Sequence, residues 1–345
     1  MTKSITTVWL IALLTGLMSM CAATVQAQNP TSGTAGPLTW KYDTDMRILT
    51  ISGKGEIPNY DWEHPAPWSD YYREMRMLVI EEGITGIGRE AFQSSWALDS
   101  VTLPKSLTRI GMSSFSDCTK LTVVTIPNGV KRIGIAAFNR CKKLSLVTLP
   151  AGLQEIDNSA FGGCENLSMV VFPDGMIRIG IYAFGYCSSL SFVMLPASVI
   201  EIGSGAFSEC KNLKNFTINI KTPPAIDKNI YGIEQNVFEG VSLANVTLTV
   251  PKGSKAAYAA APVWKEFKQI GESTVANVAL PEARIYAAGG RLYLTLQTAA
   301  PVGVYTLNGV LVRTFSAPAG ETTVALPQGV YIVRVGERTE KVFIN

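Results

Sequence analysis

The chain has 345 residues, with 30 Lys and Arg against 27 Asp and Glu and a formal charge of +3. So even a balance excludes the basic footprint of a nucleic-acid binder, and the length allows more than one domain. With six cysteines and a single histidine, few catalytic or metal-binding constellations can be assembled.

In chain order, residues 1–27 read as a signal peptide. Lys3 precedes an apolar stretch from Val8 to Cys21, and Val25 and Ala27 stand at the −3 and −1 positions of a cleavage site. The stretch is short of the ~20 residues a membrane span needs, and no other stretch of the chain could cross. Cys21 raises lipidation as an alternative, although Met20 occupies the place of the small residue that should precede a lipidated cysteine. Residues 28–37 are expected to be disordered. Residues 38–77, with "LTWKYDTDMRILTISGKGEI", alternate and turn like a hairpin and are expected to form an N-terminal cap.

Residues 78–215 repeat. Phe92, Phe115, Phe138, Phe161, Phe184 and Phe207 stand 23 residues apart, and so do Cys118, Cys141, Cys164, Cys187 and Cys210. The same step separates Ile87 from Ile110 and Leu98 from Leu121, and those columns continue through Ile202 and Leu213. Six copies of one unit predict a solenoid. Each coil reads L-x-x-V-x-[LI]-P, a turn, then I-G-x-x-A-F-x-x-C. The first segment is a short strand, and stacked coils pair these strands into a parallel sheet on one face. The Ile and Phe fill the core from the opposite wall. Gly88, Gly111, Gly134, Gly180 and Gly203 suit a tight turn where a Cβ would crowd the next coil; Asp157 in the same column suggests that this turn is left-handed.

Residues 216–272 break the register with "NIKTPPAIDKNIYGIEQ". They then supply a degenerate terminal coil and a capping helix from Ala256 to Phe267. Residues 273–282 read as a linker. Residues 283–345 carry alternating runs separated by Gly289-Gly290 and Asn308-Gly309, and are expected to form a small all-β sandwich.

The cysteine column admits several chemistries. Disulfides suit an exported protein, but five cysteines remain after cleavage and neighbouring copies would project in parallel, so free thiols are expected. A column gives no tetrahedron, which argues against a metal. His64 lies far upstream in "DWEHPAPW", where it is expected to help close the cap, and no nucleophile elbow is present. Packing remains: a reduced cysteine is a small buried hydrophobe with a weak donor, and Ser95 and Val241 fill its slot in the outer coils. No catalytic residue, cofactor or metal is assigned.

The variable positions are more informative. Residues on either side of the strand Val point away from the core. They run Ser100/Thr102, Val123/Thr125, Leu146/Thr148, Met169/Val171, Phe192/Met194 and Asn215/Thr217. Val123, Leu146, Met169, Val171, Phe192 and Met194 form an apolar stripe with polar ends, the mark of a partner surface. The alternatives are that the C-terminal domain or a second copy covers it, or that it has no special role. Charged residues at the opposite edge, among them Arg109, Lys131, Arg132, Glu155, Arg178 and Glu201, read as a solvated face.

With these motifs in place, the 23-residue coil resembles the BspA-like class of bacterial leucine-rich repeats. "LTISGKGEIPNY…APW" resembles the segment before those repeats, and "LTVPKGSKAAYAAAPVWKEFKQI" their terminal coil. The stretch "VYTLNGVLVRTF…LPQGVYIVRV…KVFIN" resembles the C-terminal sorting domains of type IX secretion substrates, though without their closing lysine. Together the resemblances imply a leucine-rich-repeat solenoid followed by a sandwich. They imply a location outside the inner membrane, secreted or on the cell surface, and adhesion to a protein or glycan on a host or bacterial surface. A structural envelope protein that self-associates through the stripe is the alternative.

Overall fold

The computed structural model describes residues 29–227, 236–273, 284–288, 291–296, 300–306, 311–335 and 338–344. The proposed signal peptide lies outside them, as do Gly289-Gly290 and Asn308-Gly309, where hairpin turns are expected. From Met77 to Asp227, each coil contributes one strand to a front sheet and a second strand of two to four residues to a back sheet, and both sheets are parallel within the repeats.

The front strands include Ser100–Thr102, Val123–Thr125 and Leu146–Thr148, then Met169–Val171, Phe192–Leu195 and Asn215–Ile218. They pair at the coil spacing, Val123 with Leu146 and Met169 with Phe192. The ladder is interrupted between Leu146–Thr148 and Met169–Val171, where Phe172 replaces the Leu or Ile of the neighbouring coils. Its ring turns edge-on to Phe184, with centroids 5.4 Å apart. The back sheet has eight strands and carries the Ile column, with Ile110 against Ile133 and Ile156 against Ile179. The repeat pattern places these isoleucines in a core wall but in no strand. Most of these segments are two or three residues long, too short for alternation to show.

Between the sheets the phenylalanines stack ring over ring. Centroids from Phe92 to Phe207 are 5.2–5.7 Å apart and planes lie within 17° of parallel. Trp68 begins the stack on Phe92 at 5.5 Å, and Phe238 ends it on Phe207 at 6.1 Å. Stacked aromatics add about 0.5–1.5 kcal/mol per pair beyond the area they bury.

All five described cysteines are reduced and buried. Each thiol donates to the carbonyl of the Phe one coil earlier: Cys118 to Phe92 at 3.3 Å, Cys141 to Phe115 at 3.2 Å, and likewise through Cys210 to Phe184. A disulfide between neighbours would abandon two such bonds. Burial pushes the thiol pKa values up, that of Cys210 to about 12.

The glycine column bears out the expected crowding between coils, which comes from the preceding coil, and corrects the expected left-handed turn. Gly88, Gly111, Gly134, Gly180 and Gly203 do not adopt a left-handed conformation. They are small because the preceding segment passes too close: a Cβ at Gly88 would lie 2.0 Å from the Pro58 carbonyl, and one at Gly203 would lie 2.3 Å from the Ile181 nitrogen. The left-handed residues come later in the coil and mostly carry side chains, as at Glu90, Ser113, Ala136, Ser159 and Tyr182, with φ of 51–57°. That conformation costs roughly 1–2 kcal/mol per residue. Inter-coil bonds just after these turns, such as Phe138 N–H to the Ala160 carbonyl at 2.8 Å, hold it in place. Asp157 is the exception in the glycine column. Its buried carboxylate accepts from Arg132 at 2.7 and 2.9 Å.

Both ends are sealed. Disorder is the expectation for residues 28–37, but Ser32–Ala35 is a strand paired with Leu38–Asp43, which pairs in turn with Ile48–Gly53. The indole N–H of Trp68 donates to the Ala91 carbonyl at 2.9 Å. His64 does not close this cap: its side chain is exposed and lies 3.3 Å from Asp61. At the other end the helix is shorter than expected, Lys255–Ala260, because Pro262 interrupts it; Trp264–Glu266 is a separate 3-10 turn. Tyr258, Trp264 and Phe267 cover Phe216 and Phe238.

Beyond residue 283 two antiparallel sheets form, one of three strands and one of four. A separate apolar core built on Leu292, Leu294, Val302, Val304, Val333 and Val335 serves them.

Stability should respond in two ways. Phe161→Ala should lose about 3–5 kcal/mol in urea unfolding, and Phe161→Leu clearly less. The folded pKa values of the thiols lie above the ordinary thiol value near 9.0, so their stabilisation is complete below pH 9 and is lost as pH rises toward the folded values. Stability should then fall by about 1.4 kcal/mol per thiol per pH unit. Cys164→Ala should flatten that alkaline slope relative to wild type.

Candidate binding face

Strand alternation puts every second residue of the front sheet on its outer side. Pairing aligns the column Met77, Ser100, Val123, Leu146, and beyond the interruption Met169, Phe192 and Asn215. The neighbouring column holds Thr102, Thr125 and Thr148, then Val171, Met194 and Thr217. The six residues expected to form the apolar stripe therefore share one side of the front strands. Met77 extends it toward the N-terminal cap at 40 % exposure, a residue that the repeat pattern does not single out because it closes the cap segment.

Exposure along the stripe is uneven. Val123 is 37 % and Val171 36 % exposed, whereas Leu146 is only 5 % exposed despite occupying the same column as Val123. The expectation that Leu146 lies open is therefore corrected. It is buried without joining the solenoid core.

The C-terminal domain meets the stripe. In the strand Gly329–Val335, Tyr331, Val333 and Val335 enter the domain's own core, so Ile332 and Arg334 project from the other side. Arg334 places its guanidinium 5.3 Å from the Phe192 ring centroid and donates from Nη2 to the Met194 sulfur at 3.3 Å. Ile332 pairs in register with Tyr305, whose ring lies 2.7 Å from where a Cβ on Gly303 would be. Met169, Val171, Phe192 and Met194 from the solenoid and Tyr305, Ile332 and Arg334 from the domain line a partly open cleft of about 320 Å³. Ile332 is 9 % exposed yet belongs to neither core. Sequence pattern alone assigns the tail no site residues. The one signal is Ile332, an apolar residue on the side opposite Val333.

The back sheet faces solvent differently. Arg109 reaches the Glu56 carboxylate across Gly86, where a Cβ would collide with Glu56, and its hydrogen bond holds that carboxyl below the usual range. Arg178 bonds Glu201 at 2.6 Å, and Arg132 lies 3.4 Å from Glu155. These charges neutralise one another along the ladder. Among the described residues no group of three His, Cys, Asp or Glu could hold a metal ion, and no helix is long and apolar enough to cross a membrane.

The BspA-type leucine-rich-repeat region matches this chain in six copies, over residues 71–190 and 114–224. Solved structures similar to it include a leucine-rich repeat protein of Eubacterium ventriosum, 17 % identical, spanning 70 % of this chain and 85 % of that one at a TM-score of 0.36. A leucine-rich cell surface protein of Faecalibacterium prausnitzii is 18 % identical over 72 % of this chain and 96 % of its own, at 0.34. The leucine-rich repeat protein of T. pallidum is 19 % identical over 58 % and 87 %, at 0.36. No curated protein matches the chain. The repeat region of this chain, with its 23-residue step, two parallel sheets and phenylalanine stack, is similar to the BspA-type leucine-rich-repeat region over residues 71–224.

Proposed function

We propose that this is an exported, non-catalytic protein-interaction scaffold that binds another macromolecule through the outer side of its front sheet. Its partner is a host matrix protein or a neighbouring cell surface, which makes it adhesin-like. The observation that carries this reading is the apolar stripe Val123, Leu146, Met169, Val171, Phe192 and Met194, on a side of the sheet where the coil itself needs no apolar residue. Buried apolar anchors framed by polar residues are what protein interfaces use, and here Ser100 and Asn215 flank the run from Val123 to Met194, with Met77 beyond Ser100. The back sheet is a poorer candidate because its charges are already paired. The leader and the sorting-like tail support export and a place at the cell surface.

A second reading is favoured by Arg334: the stripe is an interdomain or self-association interface of a structural envelope protein. Solid-phase binding to matrix proteins and glycans separates the two. The full chain should bind at least one immobilised target, and Val123→Ser with Val171→Ser should weaken that binding about tenfold or more while leaving the melting transition in place. Binding equal to wild type by the folded double variant would move the site off this side. A wild-type chain that binds nothing but sediments as a concentration-dependent dimer would support the structural reading.

A further inference from the structure

We infer that the C-terminal domain is the resident occupant of the Met169–Met194 half of the stripe and competes with an external partner for it. The competition clause rests on the function proposed above; the occupancy does not. Three features carry the occupancy. Arg334 makes two contacts with this half of the stripe, one to the ring of Phe192 and one to the sulfur of Met194. A guanidinium over an aromatic face is attracted by the ring quadrupole, and thioether sulfur is a weak acceptor, so the arginine fits this pair of side chains. Leu146 in the solenoid and Ile332 in the domain are both buried outside their own cores. Two separate cores do not account for either burial, whereas an interface between them accounts for that of Ile332 directly.

The third feature is where the cover stops. Residues lining the cleft begin at Ser168 and Met169, while Val123, two coils earlier in the same column, remains 37 % exposed. The stripe is thus divided into an open half and an occupied half, in which Met169, Phe192 and Met194 are half-buried beside the domain while Val171 stays 36 % exposed. The occupied half holds Phe192 and Met194, its largest and most adaptable side chains, which a partner would find most useful. The contact leaves a partly open cleft of about 320 Å³ instead of closing on it, so its packing is incomplete. Interfaces of this kind within a chain open readily.

The buried native thiols make a labelling test possible in the full chain. Met169→Cys and Val123→Cys each add one reporter, read against the unmodified chain as baseline. Met169→Cys should react with a maleimide about tenfold or more slowly than Val123→Cys, because reaction requires the domain to leave. Adding Ile332→Glu and Arg334→Glu should raise the Met169→Cys rate to that of Val123→Cys and leave the Val123→Cys rate unchanged. Equal rates at the outset, or a slow Met169→Cys rate that the two glutamates do not change, would overturn the occupancy. Circular dichroism confirms that the glutamate variant keeps its sheets; a milder Arg334→Gln, which keeps a polar side chain but loses the cation, should give an intermediate rate. Immobilised matrix proteins test the competition clause: the glutamate variant should bind more than the parent. Slow labelling released by the glutamates, with binding unchanged, would keep the cover and reject this half of the stripe as the partner's site.

Discussion

Ring-on-ring stacking at a fixed 23-residue step is the constraint on which the rest of the molecule depends. Once Phe115 lies on Phe92 and Phe138 on Phe115, the other columns have nowhere else to go. The thiol comes under the previous Phe carbonyl, the isoleucines align into the back sheet, and the valines into the front one. Each coil buries little that is not shared with its neighbours, so stability is a property of the stack and its two caps. This explains why the ends are built from large aromatics. Trp68 at one end and Trp264 with Phe267 at the other cover stack members that would otherwise face water.

The same register makes the two outer sides of the solenoid different. On the back sheet the repeating step brings carboxylates and guanidiniums together, as Arg132 with Asp157 and Arg178 with Glu201, and the charges satisfy one another. On the front sheet it aligns apolar residues that have no partner within the repeat. An exposed apolar column is costly in solubility and adds nothing to the coil, so its presence points to something that covers it. Part of the answer lies in the chain itself, where the domain beyond residue 283 sets Arg334 and Ile332 against that column. The partner recognition proposed for this surface and its intramolecular cover would be two uses of one surface.

Much of this was legible in the residues. Phe, Cys, Leu and Ile columns repeat without slip, which places the coil, the front strand and the buried thiol, because periodicity reports burial directly. What periodicity cannot report is the shape of short segments. Arg132–Ile133 and Glu155–Ile156 are strands of two residues, held by pairing across coils and not by local preference. The glycine column was legible as a close approach between coils, and Gly111 is indeed required by a carbonyl of the previous coil 2.7 Å from where its Cβ would be; only the left-handed turn inferred from Asp157 misled. Ser32–Ala35 has little intrinsic strand character and is ordered by Leu38–Asp43. The candidate face was visible as a set of outward positions, but the contacts of Arg334 and Ile332 depend on how two domains meet, which the repeat pattern of one does not contain.

The most direct test of the register is to remove one period. Deleting residues 137–159 takes out 23 residues and joins Ala136 to Ala160, leaving every column continuous. That protein should melt cooperatively and keep its four remaining repeat cysteines unreactive toward a thiol reagent. Deleting 137–158 instead leaves Ser159 as one extra residue at the join, and should expose thiols and broaden the transition. Thiols that are equally reactive in the two deletions, or equally protected, would contradict the claim that the 23-residue step holds this protein together.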